Sequence, residues 1–360
     1  MSLDEFRNPT RSQHYVSQAE QRLNSCSADP QSKKPEIYRF SVVDRKDPTV
    51  RLDGKKRIGG TLEFQDLFTL VRIGDKERLN FEHLFNRYEG RYPEQVDSLL
   101  EMIDDARSRA DTRQTLDLTK VEGFDFAKFL GYVKFIYTYK TMNWLRNPHK
   151  IKEVLKNFTP FLDHSLDKPG AFALYIALTD KNSSEETYIC NTYGVSSGEY
   201  KQWIRLLLLF LYTEDGKASS LDGFVEEFFV AKEFSTTFLV NVFDERCALL
   251  TDTGVVKHST AHGPATYMNV SKSCVIAIQH TFVEGDYLDK VMGARAGDLV
   301  LREQLKAKIA TTVNAVLNVN DYEILQGYNQ ICVKAAALAV FCATPDIHGV
   351  KVLKTEKSER

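Results

Sequence analysis

The chain has no long apolar run, no cysteine pair of the CxxC kind and no large excess of charge of either sign. Its apolar stretches, such as Leu206 to Tyr212, fall far short of the roughly 20 residues that cross a bilayer, so no membrane segment is expected. The opening Met-Ser-Leu-Asp-Glu-Phe-Arg has no apolar core of a signal peptide, and the expected location is cytoplasmic. Six cysteines (Cys26, Cys190, Cys247, Cys274, Cys332, Cys342) are scattered, most inside apolar runs such as Ser273 to Ile278. That pattern favours buried free thiols over disulfides or a zinc knot. With a formal net charge of -2, no global basic field recruits nucleic acid. Internal repeats, a P-loop, a dinucleotide fingerprint, HExxH and GxSxG are missing too. The commonest nucleotide-dependent and hydrolase classes therefore lose their usual motifs.

What is there is a globular composition: 360 residues, 43% hydrophobic and 27% charged, enough to bury a sizeable core. Residues 1–13 are expected to be a flexible N-terminus, 14–345 a single globular domain with lobes split near 235, and 346–360 a charged tail. Glu36 to Val43 reads as a strand. Asp44 to Gly60 reads as a solvated turn region, where Arg45, Lys46, Arg51, Lys55, Lys56 and Arg57 form the densest basic cluster. That cluster is either a nucleic-acid patch or a solvated face. From about Leu79 the apolar period is helical. Phe124 to Trp144, rich in Phe and Tyr, predicts a central core helix, ended by Pro148, which cannot continue the ladder.

Thr236 to Phe243 and Arg246 to Leu250 predict a β-hairpin, with Cys274 to His280 as a third strand. His258 to Pro264 reads as a loop; its two histidines, His258 and His262, stand four apart, but Gly263 and Pro264 argue against the helix that would let them share a metal. Leu299 to Val319 and Asp321 to Leu338 predict amphipathic helices, and Ala339 to Ala343 a short strand.

Candidate site residues fall at the ends of these elements. The hairpin delivers Asp252, in Leu250-Thr251-Asp252-Thr253-Gly254, as a rigidly held and exposed anion. His14 stands at a helix entrance with Ser17 as N-cap and Gln18 one step on, placed to act as ligand or general base, or simply to pack locally. Arg146, at the end of the long helix, either complements its dipole or pairs with an acid or a phosphate.

Several of these pieces resemble one family in order and spacing. His14-Tyr15-Val16-Ser17-Gln18 with Arg22-Leu23 is similar to the "HYVPQ…LR" opening of the bacterial domain of unknown function 4238 family. Arg146-Asn147-Pro148 resembles its "R-T-P", Leu250 to Val255 its "TSDNPV", and Met268 to Lys272 its "PLSP". Tyr328-Asn329-Gln330 before Ala335 to Phe341 resembles its closing "N…A…V-F". The likeness runs from residue 11 to 343. It departs where Ser17 replaces proline and where Thr253-Gly254 replaces Asn-Pro, and glycine and proline both make turns.

The resemblance implies an α+β fold, mainly helical with a small antiparallel or mixed β-sheet. It also implies that His14, Gln18, Arg146, Asp252 and Asn329 converge. In that reading His14, Gln18 and Asp252 are catalytic, His14 and Asp252 hold Mg²⁺ or Mn²⁺, and Arg146 and Asn329 bind substrate. Such a set suits a metal-dependent phosphodiesterase or nuclease acting in bacterial defence against phage. Its expected partners are a nucleic acid or a nucleotide, together with a protein from the same operon. The rival expectation is a non-catalytic interaction or sensor module whose same residues form a structural polar network.

Overall fold

The computed structural model describes residues 3–354 apart from 28–31, 74–76, 110–114, 179–180, 182, 215–216, 231–233, 261–262, 283–287, 290–291, 296 and 311–312. His262 and the end of the expected charged tail thus lie outside the described residues.

Two mixed sheets organise the chain. The larger has the order β11-β12-β13-β9-β14-β8, built from Val256–Thr260, Gly263–Ser271, Cys274–Phe282, Phe234–Val242, Val313–Val319 and Thr115–Asp117 respectively. All neighbours are antiparallel except β9 and β14, which run parallel with Val316 opposite Leu239. The second has the order β10-β15-β3-β4-β16: Leu250–Thr251, Ala339–Cys342, Glu36–Asp44, Thr49–Arg57 and Lys351–Leu353. Two small antiparallel sheets join β1, β7 and β6 (Arg7–Asn8, Glu77–Asn80, Thr69–Ile73), and β2 with β5 (Ser12–His14, Glu63–Gln65).

The expectation of a mainly helical fold with a small sheet is therefore overturned: the protein is α+β, and its described residues are 48% helical and 26% strand, with four sheets of 2–6 strands. The missed strands share a physical cause. β4 carries Lys55, Lys56 and Arg57 on positions open to solvent, and it is a strand because β3 supplies its ladder. Gly54, at φ +92°, takes up the irregularity in that pairing. Thr236 to Leu250 is not a hairpin; β9 sits between β13 and β14, while β10 leaves for the other sheet and pairs with β15. Of the stretch expected as a loop, His258 to Thr260 and Gly263 with Pro264 belong instead to the antiparallel pair β11 and β12. The predicted helix from Leu299 ends at Ala310, and the β-branched Val313–Val319 follows as β14.

Helices cover these sheets. Of α1 (Gln18–Leu23), α2 (Glu82–Glu89), α3 (Tyr92–Arg109) and α4 (Phe126–Leu145), α4 is the centre. Asp125 caps it by accepting the Lys128 N–H at 3.0 Å. Its N-terminal half buries one stripe, Phe129, Val133 and Ile136, and its last two turns, Thr138 to Leu145, are buried nearly all round; the Tyr139 ring stacks on Tyr92 with centroids 3.7 Å apart. Each fully buried side chain of this kind contributes roughly 1.5–3 kcal/mol.

Beyond α4 come α5 (Ile151–Asn157), α6 (Pro169–Ala177), α7 (Ser183–Tyr193), α8 (Ser197–Leu211), α9 (Ser220–Val230), α10 (Leu299–Ala310) and α11 (Tyr322–Ala335). α11 seals a second core, where Leu325, Tyr328 and Cys332 meet Phe40, Val50 and Val340 of the five-stranded sheet. No helix among the described residues is long and apolar enough to cross a membrane.

Candidate functional site

The stretches carrying the candidate residues meet around the C-terminal end of α4. Ser17 caps α1 by accepting the Glu20 N–H at 3.2 Å, and this fixes His14 and Gln18 at the helix entrance. His14 Nδ1 lies 3.0 Å from the Thr61 carbonyl, and its Nε2 lies 2.9 Å from Gln18 Nε2. One tautomer satisfies both contacts: Nδ1–H donates to Thr61 and Nε2 accepts from Gln18. Burial, reinforced by the Arg146 charge, pushes the His14 pKa down to about 4, so the imidazole is neutral at neutral pH.

Arg146 is almost wholly buried, 1% exposed. Its Nε donates to the Tyr15 carbonyl at 3.3 Å, its Nη2 stands 2.6 Å from a Glu89 oxygen as an ion pair without hydrogen-bond geometry, and its guanidinium lies 4.5 Å from the centre of the Phe85 ring. The next residue, Asn147, donates to the Asp252 carbonyl at 2.6 Å and so ties the end of α4 to the Thr-Asp-Thr-Gly turn.

Asp252 was expected to be an exposed anion, and this is corrected: it is 1% exposed. Its Oδ1 accepts the Ala337 N–H at 2.8 Å, and its Oδ2 accepts those of Leu338 at 2.6 Å and Ala339 at 2.9 Å. The carboxylate thereby organises the turn from α11 into β15. Asn329, fully buried, accepts the Leu249 N–H at 3.0 Å and donates to the His348 carbonyl at 3.1 Å. The Leu249 carbonyl in turn accepts from Asn269 at 3.2 Å and Tyr328 at 2.9 Å, and Asn269 accepts from Asn24 at 2.8 Å.

Beneath these lies an ion pair, Glu20 with Lys140, in which both side chains are sealed from solvent. Burial pushes Glu20 up and Lys140 down, and their mutual attraction offsets part of that penalty. Asn143 adds a 2.6 Å hydrogen bond to the same carboxylate.

One feature opens outward. A polar pocket of about 410 Å³ is lined by Tyr15, Arg39, Lys56, Thr61, Asp252 and Leu338, among others. Arg39 pairs with Asp53 there, while Lys56 is exposed. In the field of Arg146, burial raises the Glu82 pKa to about 7, and its Oε1 is buried with no hydrogen-bond partner.

The stretches carrying the candidate residues are thus tied together by hydrogen bonds of their neighbours, and of the candidates themselves only His14 and Gln18 are bonded to each other among the described residues. No hydrogen bond joins His14 to Asp252 among the described residues, and both imidazole nitrogens and both Asp252 oxygens already have partners. Nor do the described residues contain a group of three or more His, Cys, Asp or Glu placed to hold a metal ion. That donor set does not fit a metal shared by these two residues.

Asn147, Asn269, Glu82 and Glu89 were not singled out from the sequence. Asn147 and Asn269 lay inside the stretches already matched, and the two glutamates stand seven apart on α2, where both reach Arg146. The chain matches no protein-family model, no curated protein and no solved structure. The likeness to the 4238 family therefore rests on the motif residues alone.

Proposed function

We propose that this chain is a non-catalytic interaction or sensor module, in which the motif residues form a structural polar network. The pocket beside that network takes a small phosphorylated ligand of the nucleotide class. The observation that carries this reading is the Asp252 carboxylate, buried and bound by three backbone N–H groups. A general base or metal ligand needs free lone pairs facing substrate, and these face the chain. The ligand class follows from the pocket lining, where the exposed Lys56 supplies positive charge, Arg39 stands beside it paired with Asp53, and Tyr15 supplies a hydroxyl.

A second proposal, the metal-dependent phosphodiesterase or nuclease of bacterial defence, draws on the same basic rim next to His14, which suits a phosphodiester. One pair of experiments separates the two. Nucleoside mono-, di- and triphosphates are titrated calorimetrically into the protein and into Lys56→Glu. Plasmid, single-stranded DNA and RNA are incubated with the protein and with His14→Ala in Mg²⁺ or Mn²⁺.

The sensor reading expects saturable binding that Lys56→Glu abolishes, with no cleavage. Cleavage that disappears in a folded His14→Ala protein refutes the non-catalytic reading. Absence of heat with every nucleotide refutes the ligand class.

A further inference from the structure

A cleft of different chemistry lies along the C-terminal half of α4. Tyr137, Thr141 and Trp144 of α4 form one wall, Phe224 and Phe228 of α9 another, and Lys257 of β11 with Thr266 of β12 a third. Phe158 closes the end. The enclosed volume is about 260 Å³, where a cavity of about 150 Å³ already holds benzene. Tyr137 and Phe228 stack nearly parallel, 9° apart with centroids at 5.5 Å, and the Tyr137 hydroxyl is tied to Thr141 and Thr266. These rings are fixed by packing, so the walls are ready-made for a planar apolar guest.

One charge faces this aromatic space. Lys257 Nζ rests 3.4 Å from the centre of the Trp144 ring. No carboxylate forms an ion pair with it among the described residues; Glu153, the acid that acts on it, is bonded to Lys150 at 2.9 Å. The aromatic surroundings hold the ammonium's pKa down to about 8, although the residue as a whole keeps an exposed face, so it remains largely cationic at neutral pH. A cation held on an indole, short of an anion and at the rim of an apolar cleft is complementary to an acid with a flat apolar body.

We infer that this cleft binds an aromatic carboxylate of one or two fused rings, with its ring system between Tyr137, Phe158 and Phe228 and its carboxylate paired with Lys257. Nothing in this inference depends on the polar pocket, whose lining shares no residue with that of the cleft. The charge of the ligand should matter as much as its shape.

The test is calorimetric titration of the full chain with three probes of one shape: 2-naphthoate, 2-naphthalenemethanol and 2-naphthylmethylammonium. The expected result is one naphthoate per chain, bound at least about tenfold tighter than the neutral alcohol, with the ammonium probe weakest. In Lys257→Met, naphthoate falls to the affinity of the alcohol while the alcohol is unchanged. Equal affinity for naphthoate and alcohol in the native protein overturns the inference, as does the absence of binding by all three. The charge series on the native chain decides the matter even if Lys257→Met does not fold.

Discussion

Replacing Asp252 separates a structural carboxylate from a catalytic one. Asp252→Ala removes the acceptor for the Ala337, Leu338 and Ala339 N–H groups in one step. Ala339 is buried, so its N–H loses its partner outright, a penalty of about 1–3 kcal/mol. Ala337 and Leu338 are more open and can regain water, so each forfeits only the net value of a hydrogen bond to a charge, about 1.5–3 kcal/mol. The sum is about 4–9 kcal/mol, a large part of the roughly 5–15 kcal/mol that holds a domain folded.

Asp252→Asn should lose less. Its remaining oxygen can still serve Leu338 and Ala339, but its NH₂ then faces the Ala337 N–H, donor against donor, for about 1–3 kcal/mol. Guanidinium unfolding followed by circular dichroism, with the slope unchanged between proteins, measures both losses. The order native, Asn, Ala is required. An Asp252→Ala protein within about 1 kcal/mol of native would refute the reasoning and leave Asp252 free for chemistry.

Other perturbations follow from the same geometry. Glu82 has its folded pKa raised to about 7 from 4.5, so its contribution to stability is present below pH 4.5 and is lost as pH rises through 7. Glu82→Gln should therefore be more stable than native at pH 8, by about 1–2 kcal/mol after discounting for its partial exposure, and equal at pH 4; parallel melts at the two pH values check this. His14 acts in the opposite sense: with its folded pKa down at about 4, stability is lost as pH falls from 6.5 toward 4, and His14→Gln should flatten that limb. Lys140→Met leaves Glu20 buried without its cation and should cost about 3–5 kcal/mol, most of which Glu20→Gln in the same chain restores. Gly349→Ala should destabilise more than Gly254→Ala in the same unfolding assay. Both sit at positive φ, but a Cβ at 349 would meet the Gln326 backbone at 2.9 Å, whereas at 254 it makes ordinary contact with Asn143 at 3.5 Å.

Much of the helical frame was legible in the sequence because long elements carry redundant signals. The core helix ending at Arg146, the cap at Ser17, and the run from α11 into β15 each combine periodicity with a start or stop residue. Strands that depend on a distant partner were not legible. β4 ends in Lys55, Lys56 and Arg57, all open to solvent, and only its pairing with β3 makes it a strand. Asp252 was legible as an unusual residue but not as a buried one. A strand-end aspartate looks the same whether it faces solvent or N–H groups that lie 85 to 87 positions further along the chain. Local pattern finds the residue, and only tertiary contact decides what it does.

That distant contact also ties the network to the pocket. Asp252 holds the N–H groups of Leu338 and Ala339, and the same three residues line the cavity together with Tyr15, whose carbonyl Arg146 holds. A ligand seated there binds only the state in which this turn is formed, so saturation should stabilise the native chain, by about 2.7 kcal/mol at a hundredfold excess over Kd. By linkage, Asp252→Asn should weaken binding although Asp252 needs no contact with the ligand, because part of the binding energy then goes into ordering the turn. If the variant binds as tightly as the native protein while unfolding more easily, the turn is formed whenever the chain is folded, and the network and the pocket are neighbours without being coupled.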